Sequence, residues 1–160
     1  MKIRLLAVGQ RQPQWVDTAV SEYAKRLPRH LGFELIEVPA ANRVPGNGAK
    51  ATSNTAQQAE ALRISKLLKP TDRTIALDEH GRSLATRDVA AALEHWQQDG
   101  QNVALLIGGA DGLQPQLLKQ ASERWSLSAM TLPHGLARVT IVEQLYRAWT
   151  LTQNHPYHRA

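Results

Sequence analysis

At 160 residues the chain is sized for one domain spanning 1–160, large enough to bury about two-thirds of its unfolded surface without staples. Hydrophobic residues at 42% and charged ones at 21% exclude a disordered or fibrous chain, and the absence of cysteine excludes disulfides, thiolate metal sites and a cysteine nucleophile. Nineteen Lys and Arg against fourteen Asp and Glu leave +5, a balance that permits a nucleic-acid partner without requiring one.

The first element, IRLLAV at 3–8, reads as a buried strand. Its apolar run from Leu5 to Val8 falls well short of the ~7–15 residues of a signal-peptide core. No other stretch approaches the ~18 apolar residues of a membrane span, so a cytoplasmic protein with no membrane partner is expected. A helix follows from about Pro13, with Val16, Ala19, Val20, Tyr23 and Leu27 on one face and Pro28 as its stop. Within residues 1–32 stand Lys2, Arg4, Arg11, Lys25, Arg26 and Arg29, against only Asp17 and Glu22. Such a basic bias is either a solvated face or a phosphate-contacting one.

FELIEV at 33–38 alternates as a second strand, and 39–54, rich in Pro, Gly and Asn without a hydrophobic period, reads as a long basic loop. The next helix spans roughly 55–68, opening with Thr55 and Gln58 at capping-box spacing. TIALD at 74–78 is a third strand, and 86–97 a helix with Val89, Ala92, Leu93 and Trp96 on one face. NVALLIGG at 102–109 is near-continuously apolar, as a strand covered on both faces should be. A short helix at 114–122, a weaker strand at 125–132 and a helix at 137–152 complete the chain, the last with Ile141, Val142, Leu145, Ala148 and Trp149 inward.

This alternation predicts an α/β domain with a mostly parallel sheet and helices on both faces. Ligands of such sheets bind beyond the carboxyl ends of the strands. There the last three strands place LDEHG (77–81), IGGADG (107–112) and LSAMTLPHG (127–135) on one edge. The glycines match neither the G-x-G-x-x-G nor the Walker cradle. LSAMTLPH offers backbone amides, carbonyls and soft apolar groups before any charge, which suits an adenine better than a phosphate. Asp78 and His134 lack a third partner that would make them an acid–base pair. His155 and His158 lack a nearby carboxylate and flank a proline, so no metal is expected.

The chain stops on NHPYHR followed by one alanine, an unusual concentration of polar chemistry for a terminus. LLIGGADGL, SLSAMTLPHGLARVTIVEQLYRAW and NHPYHR, in that order and spacing, resemble the ribosomal large subunit methyltransferase H family. The likeness extends from AVG at 7–9 through FELIEVPA at 33–40 to the last residues. It implies a SPOUT-type fold with a carboxyl-terminal trefoil knot, a homodimer, and S-adenosylmethionine as cofactor. The reaction it implies is methylation of N3 of the pseudouridine conventionally numbered 1915 in 23S rRNA, on the assembled 70S ribosome. Carried to matching positions, the cofactor residues are Leu77, Gly108, Leu127, Ser128, Ala129, Met130, Thr131 and Leu132. Gly135 departs from the family, which commonly has a bulkier residue after the histidine, and this concerns local loop geometry.

Methyl transfer to an imide nitrogen needs the N3 proton removed and the nitrogen aligned with the methyl carbon. Orientation contributes ~7–11 kcal/mol and a general base ~10²–10⁴-fold in rate, so positioning is the larger contribution. Arg159 suits electrostatic support of the developing anion, His158 proton acceptance, and Tyr157 stacking on or orienting the base. The resemblance places this segment in the active site near the dimer interface. Lys25, Arg26 and Arg29 are candidate phosphate contacts. The competing expectations are a flavodoxin-like nucleotide binder, which the missing phosphate cradle opposes, and a non-catalytic ribosome-binding module.

Overall fold

A computed structural model describes residues 1–42 and 49–159. The described residues form a five-stranded parallel sheet in the order β2-β1-β4-β3-β5. Its strands are β1 (Ile3–Val8), β2 (Glu34–Val38), β3 (Arg73–Ser83), β4 (Val103–Ile107) and β5 (Glu123–Ser126). The helices are α1 (Gln14–Ala24), α2 (Ala49–Leu67), α3 (Thr86–Asp99), α4 (Pro115–Gln120) and α5 (His134–Thr152), with a 3-10 turn at Arg29–Leu31.

Strand periodicity divides the core between the two faces of the sheet. Ile3, Leu5 and Ala7 of β1 and Val103, Leu105 and Ile107 of β4 join Val16 and Val20 of α1, Leu93 and Trp96 of α3 and Ile141 and Leu145 of α5. Leu6, Val8, Ala104 and Leu106 face the other way, onto Ala61 and Ile64 of α2 and Leu117 of α4. β4 is buried at every position, as its unbroken apolar run predicts. At the edge, Trp96 and Trp125 stack with centroids 5.6 Å apart, fastening α3 to β5.

Several boundaries differ from the sequence reading. The strand expected over 125–132 ends at Ser126, and 127–132 is irregular chain: on this outer edge no further strand among the described residues pairs with it, and Ser126 Oγ donates to the Ser128 carbonyl instead. β3 runs to Ser83, with residues 78–81 thrown out as a bulge, since Leu77 and Arg82 both pair with Trp125. Gly81 sits where that bulge crosses β5; a Cβ there would stand 2.7 Å from the backbone of Arg124 and Trp125. α2 starts at Ala49, so Thr55 and Gln58 lie inside a helix rather than at its cap, and 49–54 are helical rather than loop. Of the loop read at 39–54, residues 43–48 lie outside the described residues.

α1 stops at Ala24, one turn before Pro28, with Pro13 preceding its first residue. α5 begins at His134, three residues earlier than its apolar period suggests, because Pro133 fixes the entry. Gly135 then lies in the first turn of α5 against α1, where a Cβ would approach Val16 Cγ2 to 2.8 Å. The small residue thus serves helix packing.

Candidate active site

Past the ends of β3, β4 and β5 lies a cleft of about 370 Å³, a volume within the range of small-molecule sites. It is lined by Leu77, Gly108, Leu127, Ser128, Met130, Thr131 and Leu132, seven of the eight positions singled out for a cofactor. Ala129 is exposed and does not line it. The bulge of β3 brings Asp78 and Glu79 to the rim, while His134 and Ala137 close it from the first turn of α5.

The glycine turn after β4 brings main chain to this surface. Gly108 cannot carry a side chain: a Cβ would stand 2.4 Å from Gly112 C and 2.6 Å from Leu113 N. The turn is closed by the Gly112 N–H donating to the Gly109 carbonyl at 3.0 Å, with Gly112 at a φ of 77°. From the other face of the sheet Gln57 of α2 donates to the Asp111 carbonyl, and Glu60 stands where a Cβ on Gly109 would meet it at 3.0 Å. On the far wall the Ser128 hydroxyl accepts from Met130 N–H at 3.0 Å, leaving the Met130 side chain 77% exposed.

A polar chain runs behind the cleft. His134 Nδ1 lies 3.0 Å from the Gly108 carbonyl oxygen, and its Nε2 accepts from Arg138 Nε at 2.9 Å. Arg138 is fully buried; it also donates to Glu37 at 2.9 Å and to the Gly9 carbonyl at 2.6 Å. Burial and, next, the Arg138 charge hold the His134 imidazole below its ordinary pKa of 6.5. Asp78 is instead paired with Arg124 at 2.7 Å, so Asp78 and His134 do not form an acid–base couple. Sequence reasoning missed Arg138 and Glu37. The available signal was an arginine on the buried stripe of α5, at i with Ile141, Val142 and Leu145 at i+3, i+4 and i+7.

The carboxyl-terminal segment lies elsewhere. α5 ends because Asn154 takes a left-handed φ of 53° and the His155 N–H reaches back to the Thr150 carbonyl at 2.9 Å. Pro156 prevents the helix from resuming. The chain therefore turns back along α5. Tyr157 donates to Glu143 at 3.1 Å, its ring tilts on Tyr146 at 4.7 Å, and the Arg147 guanidinium lies 5.0 Å above it. Burial first, then the Glu143 hydrogen bond, pushes its hydroxyl pKa up to about 12.

His155 Nδ1 accepts from Tyr157 N–H, whereas both ring nitrogens of His158 are buried with no hydrogen-bond partner among the described residues. Arg159 is exposed. Glu143 stands six residues beyond Ala137, about 9 Å along α5 and a third of a turn around it. The structure thus gathers the cleft residues together and leaves Tyr157, His158 and Arg159 outside the cleft of the same chain.

Of the basic candidates, Lys25 and Arg26 both pair with Glu22, Arg26 at 2.8 Å, and Arg26 also lies 5.4 Å from the Tyr23 ring. Arg29 is exposed.

Comparison with known proteins gives the geometry a family. A family model described as "Predicted SPOUT methyltransferase" matches residues 1–158. Proteins named ribosomal RNA large subunit methyltransferase H are 50% identical over 159 residues in Chromohalobacter salexigens, covering 99% of this chain and 100% of that one. In Saccharophagus degradans the figure is 52% over 160 residues, covering 99% and 100%. Among solved structures, a probable methylase family protein from Haemophilus influenzae aligns with a TM-score of 0.58 at 12% identity, over 99% of this chain and 70% of that one. A probable methyltransferase from Bordetella pertussis aligns at 0.58 with 19% identity, over 91% and 95%. These two establish likeness of fold. With the family match running from the first strand into the carboxyl-terminal tail, the chain belongs to the SPOUT methyltransferase family.

Proposed function

We propose that the protein transfers a methyl group from S-adenosylmethionine to N3 of the pseudouridine conventionally numbered 1915 in 23S rRNA, on the assembled 70S ribosome. The carrying observation is the cleft: three strand ends meet in a space lined by glycine backbone and soft apolar side chains. An adenine fits such a lining, since main-chain groups can read its edge while Leu77, Leu127 and Leu132 cover its faces. Gly108 and the 127–132 segment would hold the cofactor, which supplies an electrophilic methyl on a sulfonium.

The relatives' name, which specifies large-subunit rRNA, supports the choice of acceptor. The working form in this reading is a cytoplasmic homodimer. Two observations support it: Tyr157, His158 and Arg159 of one chain do not line its own cleft, and α1 leaves Trp15 54% exposed beside Tyr23. A partner's tail would then complete each cleft. Within that tail Tyr157 fixes the segment on α5, orienting it toward the base. His158 takes the N3 proton; its two buried, unpartnered ring nitrogens fit a group that finds its partner in the assembled site. Arg159 stabilises the imide anion, and Lys25, Arg26 and Arg29 serve as phosphate contacts. The trefoil knot belongs to the same reading, supported by the tight backbone crossing of Gly81 over Arg124 and Trp125.

The direct test is transfer of a labelled methyl from S-adenosylmethionine to 70S ribosomes lacking this modification, with the labelled nucleotide mapped. Label on N3 of that pseudouridine is expected. No label, with cofactor binding intact, would refute the acceptor and leave the cleft assignment standing.

A further inference from the structure

We infer that Arg138 locks His134 as the neutral Nδ1–H tautomer, and that this ring, by donating to the Gly108 carbonyl, is a positioning residue for the cofactor cleft. The identity of the ligand rests on the proposed function; the state of the ring does not.

Hydrogen-bond polarity carries the argument. A guanidinium Nε–H only donates and a peptide carbonyl only accepts. With Arg138 Nε at 2.9 Å from His134 Nε2, that ring nitrogen must hold a lone pair. With Gly108 O at 3.0 Å from Nδ1, that one must carry the proton. Of the three ring states only the Nδ1–H tautomer satisfies both contacts. The Nε2–H tautomer and the imidazolium each set N–H against N–H at Arg138.

Arg138 cannot swing away to relieve such a clash. It is fully buried, ion-paired with Glu37 at the end of β2, and bonded to the Gly9 carbonyl at the end of β1. The β1 and β2 ends therefore brace the arginine, the arginine sets the ring, and the ring holds the turn after β4 from the α5 side. On its Cα side Gly108 packs against the backbone of Gly112 and Leu113.

The charges around His134 are Arg138 on its own helix, Glu37 of β2 behind that arginine, and Asp78 and Glu79 of β3 across the cleft. Asp78 is neutralised by Arg124, leaving Arg138 as the charge in direct contact. A neutral ring also suits a cleft that receives a sulfonium, because an imidazolium there would repel it. Cofactor affinity is therefore expected to hold through neutral pH and to weaken on the acid side of 6.5, as the ring is forced to protonate.

Two measurements test this on the full-length protein. Long-range proton–nitrogen correlation spectra of histidine-labelled protein at pH 7 are expected to give the Nδ1–H pattern for His134. An Nε2–H or imidazolium pattern would overturn the lock. Calorimetric titration with S-adenosylmethionine at pH 8 and pH 5 then compares two variants. His134→Asn keeps a donor at the Nδ1 position and cannot protonate; it is expected to bind more tightly than His134→Gln at pH 8 and to lack the acid-side loss. His134→Gln keeps only the group facing Arg138 and is expected to bind about tenfold more weakly, the loss of one buried hydrogen bond. Equal affinities for the two variants, or a wild-type affinity unchanged between the two pH values, would overturn the positioning role. A wild-type protein that binds no S-adenosylmethionine yet shows the Nδ1–H ring would instead overturn the proposed function.

Discussion

The cleft and the carboxyl-terminal tail are built from opposite materials. The cleft rests on backbone held by close packing: Gly108, where a Cβ would strike main chain, and a turn closed by its own hydrogen bond, with apolar side chains around them. The tail consists of side chains on a reversed segment, secured through one tyrosine to Glu143, Tyr146 and Arg147. The cleft's lining thus comes from one chain, and Tyr157, His158 and Arg159 of that chain are not part of it. Binding and catalysis should accordingly fail separately.

The largest break is expected from Gly108→Ala. Its Cβ would meet backbone rather than a movable side chain, so cofactor binding should be lost, with about 1–3 kcal/mol of stability. Calorimetry and thermal unfolding check both. Arg159→Ala is expected to leave cofactor affinity intact and to lower single-turnover methyl transfer by about 10²–10³, as removal of one transition-state electrostatic contact does. Equal loss of affinity and rate would erase the distinction between the two regions.

Co-expression of Gly108→Ala with Arg159→Ala sharpens it further. If each cleft is completed by the partner's tail, the mixed dimer has one intact site and regains activity that neither variant has alone. Inactive mixed dimers, verified by tagged purification, would contradict the composite site. The smallest effect is that of Tyr157→Phe, which removes one hydrogen bond and about 0.5–1.5 kcal/mol. The tyrosine also carries a pH signature. Its hydroxyl holds its proton to about 12 when folded against 10.0 when free, so its contribution is full below pH 10 and is lost as pH rises toward 12. Thermal unfolding across that window should show a decline that the phenylalanine variant lacks.

The strand ends were legible because apolar runs broken by turn residues reveal where a parallel strand stops and a ligand can lie. LLIGG and LSAMTL pointed to one cleft before any contact was visible. The tail was legible only as chemistry. Nothing in NHPYHR discloses that Asn154 reverses the chain or that Tyr157 engages its own helix, since both depend on the neighbouring turn of α5. Arg138 was overlooked for a related reason. A charge on an apolar stripe looks like an irregularity until Glu37 and Gly9, distant in sequence, are seen beside it.

By itself the sequence determined the periodicities that set strands and helices, the α/β class, and the residue types available at each strand end, because these follow from local patterns of polarity and backbone freedom. The tertiary structure alone decided that 127–132 leaves the sheet, that residues 78–81 bulge over β5, and that His134 is gripped between Arg138 and Gly108. Those outcomes depend on which edges find a pairing partner and which polar groups meet after burial. Both are settled by contacts between segments far apart in the chain.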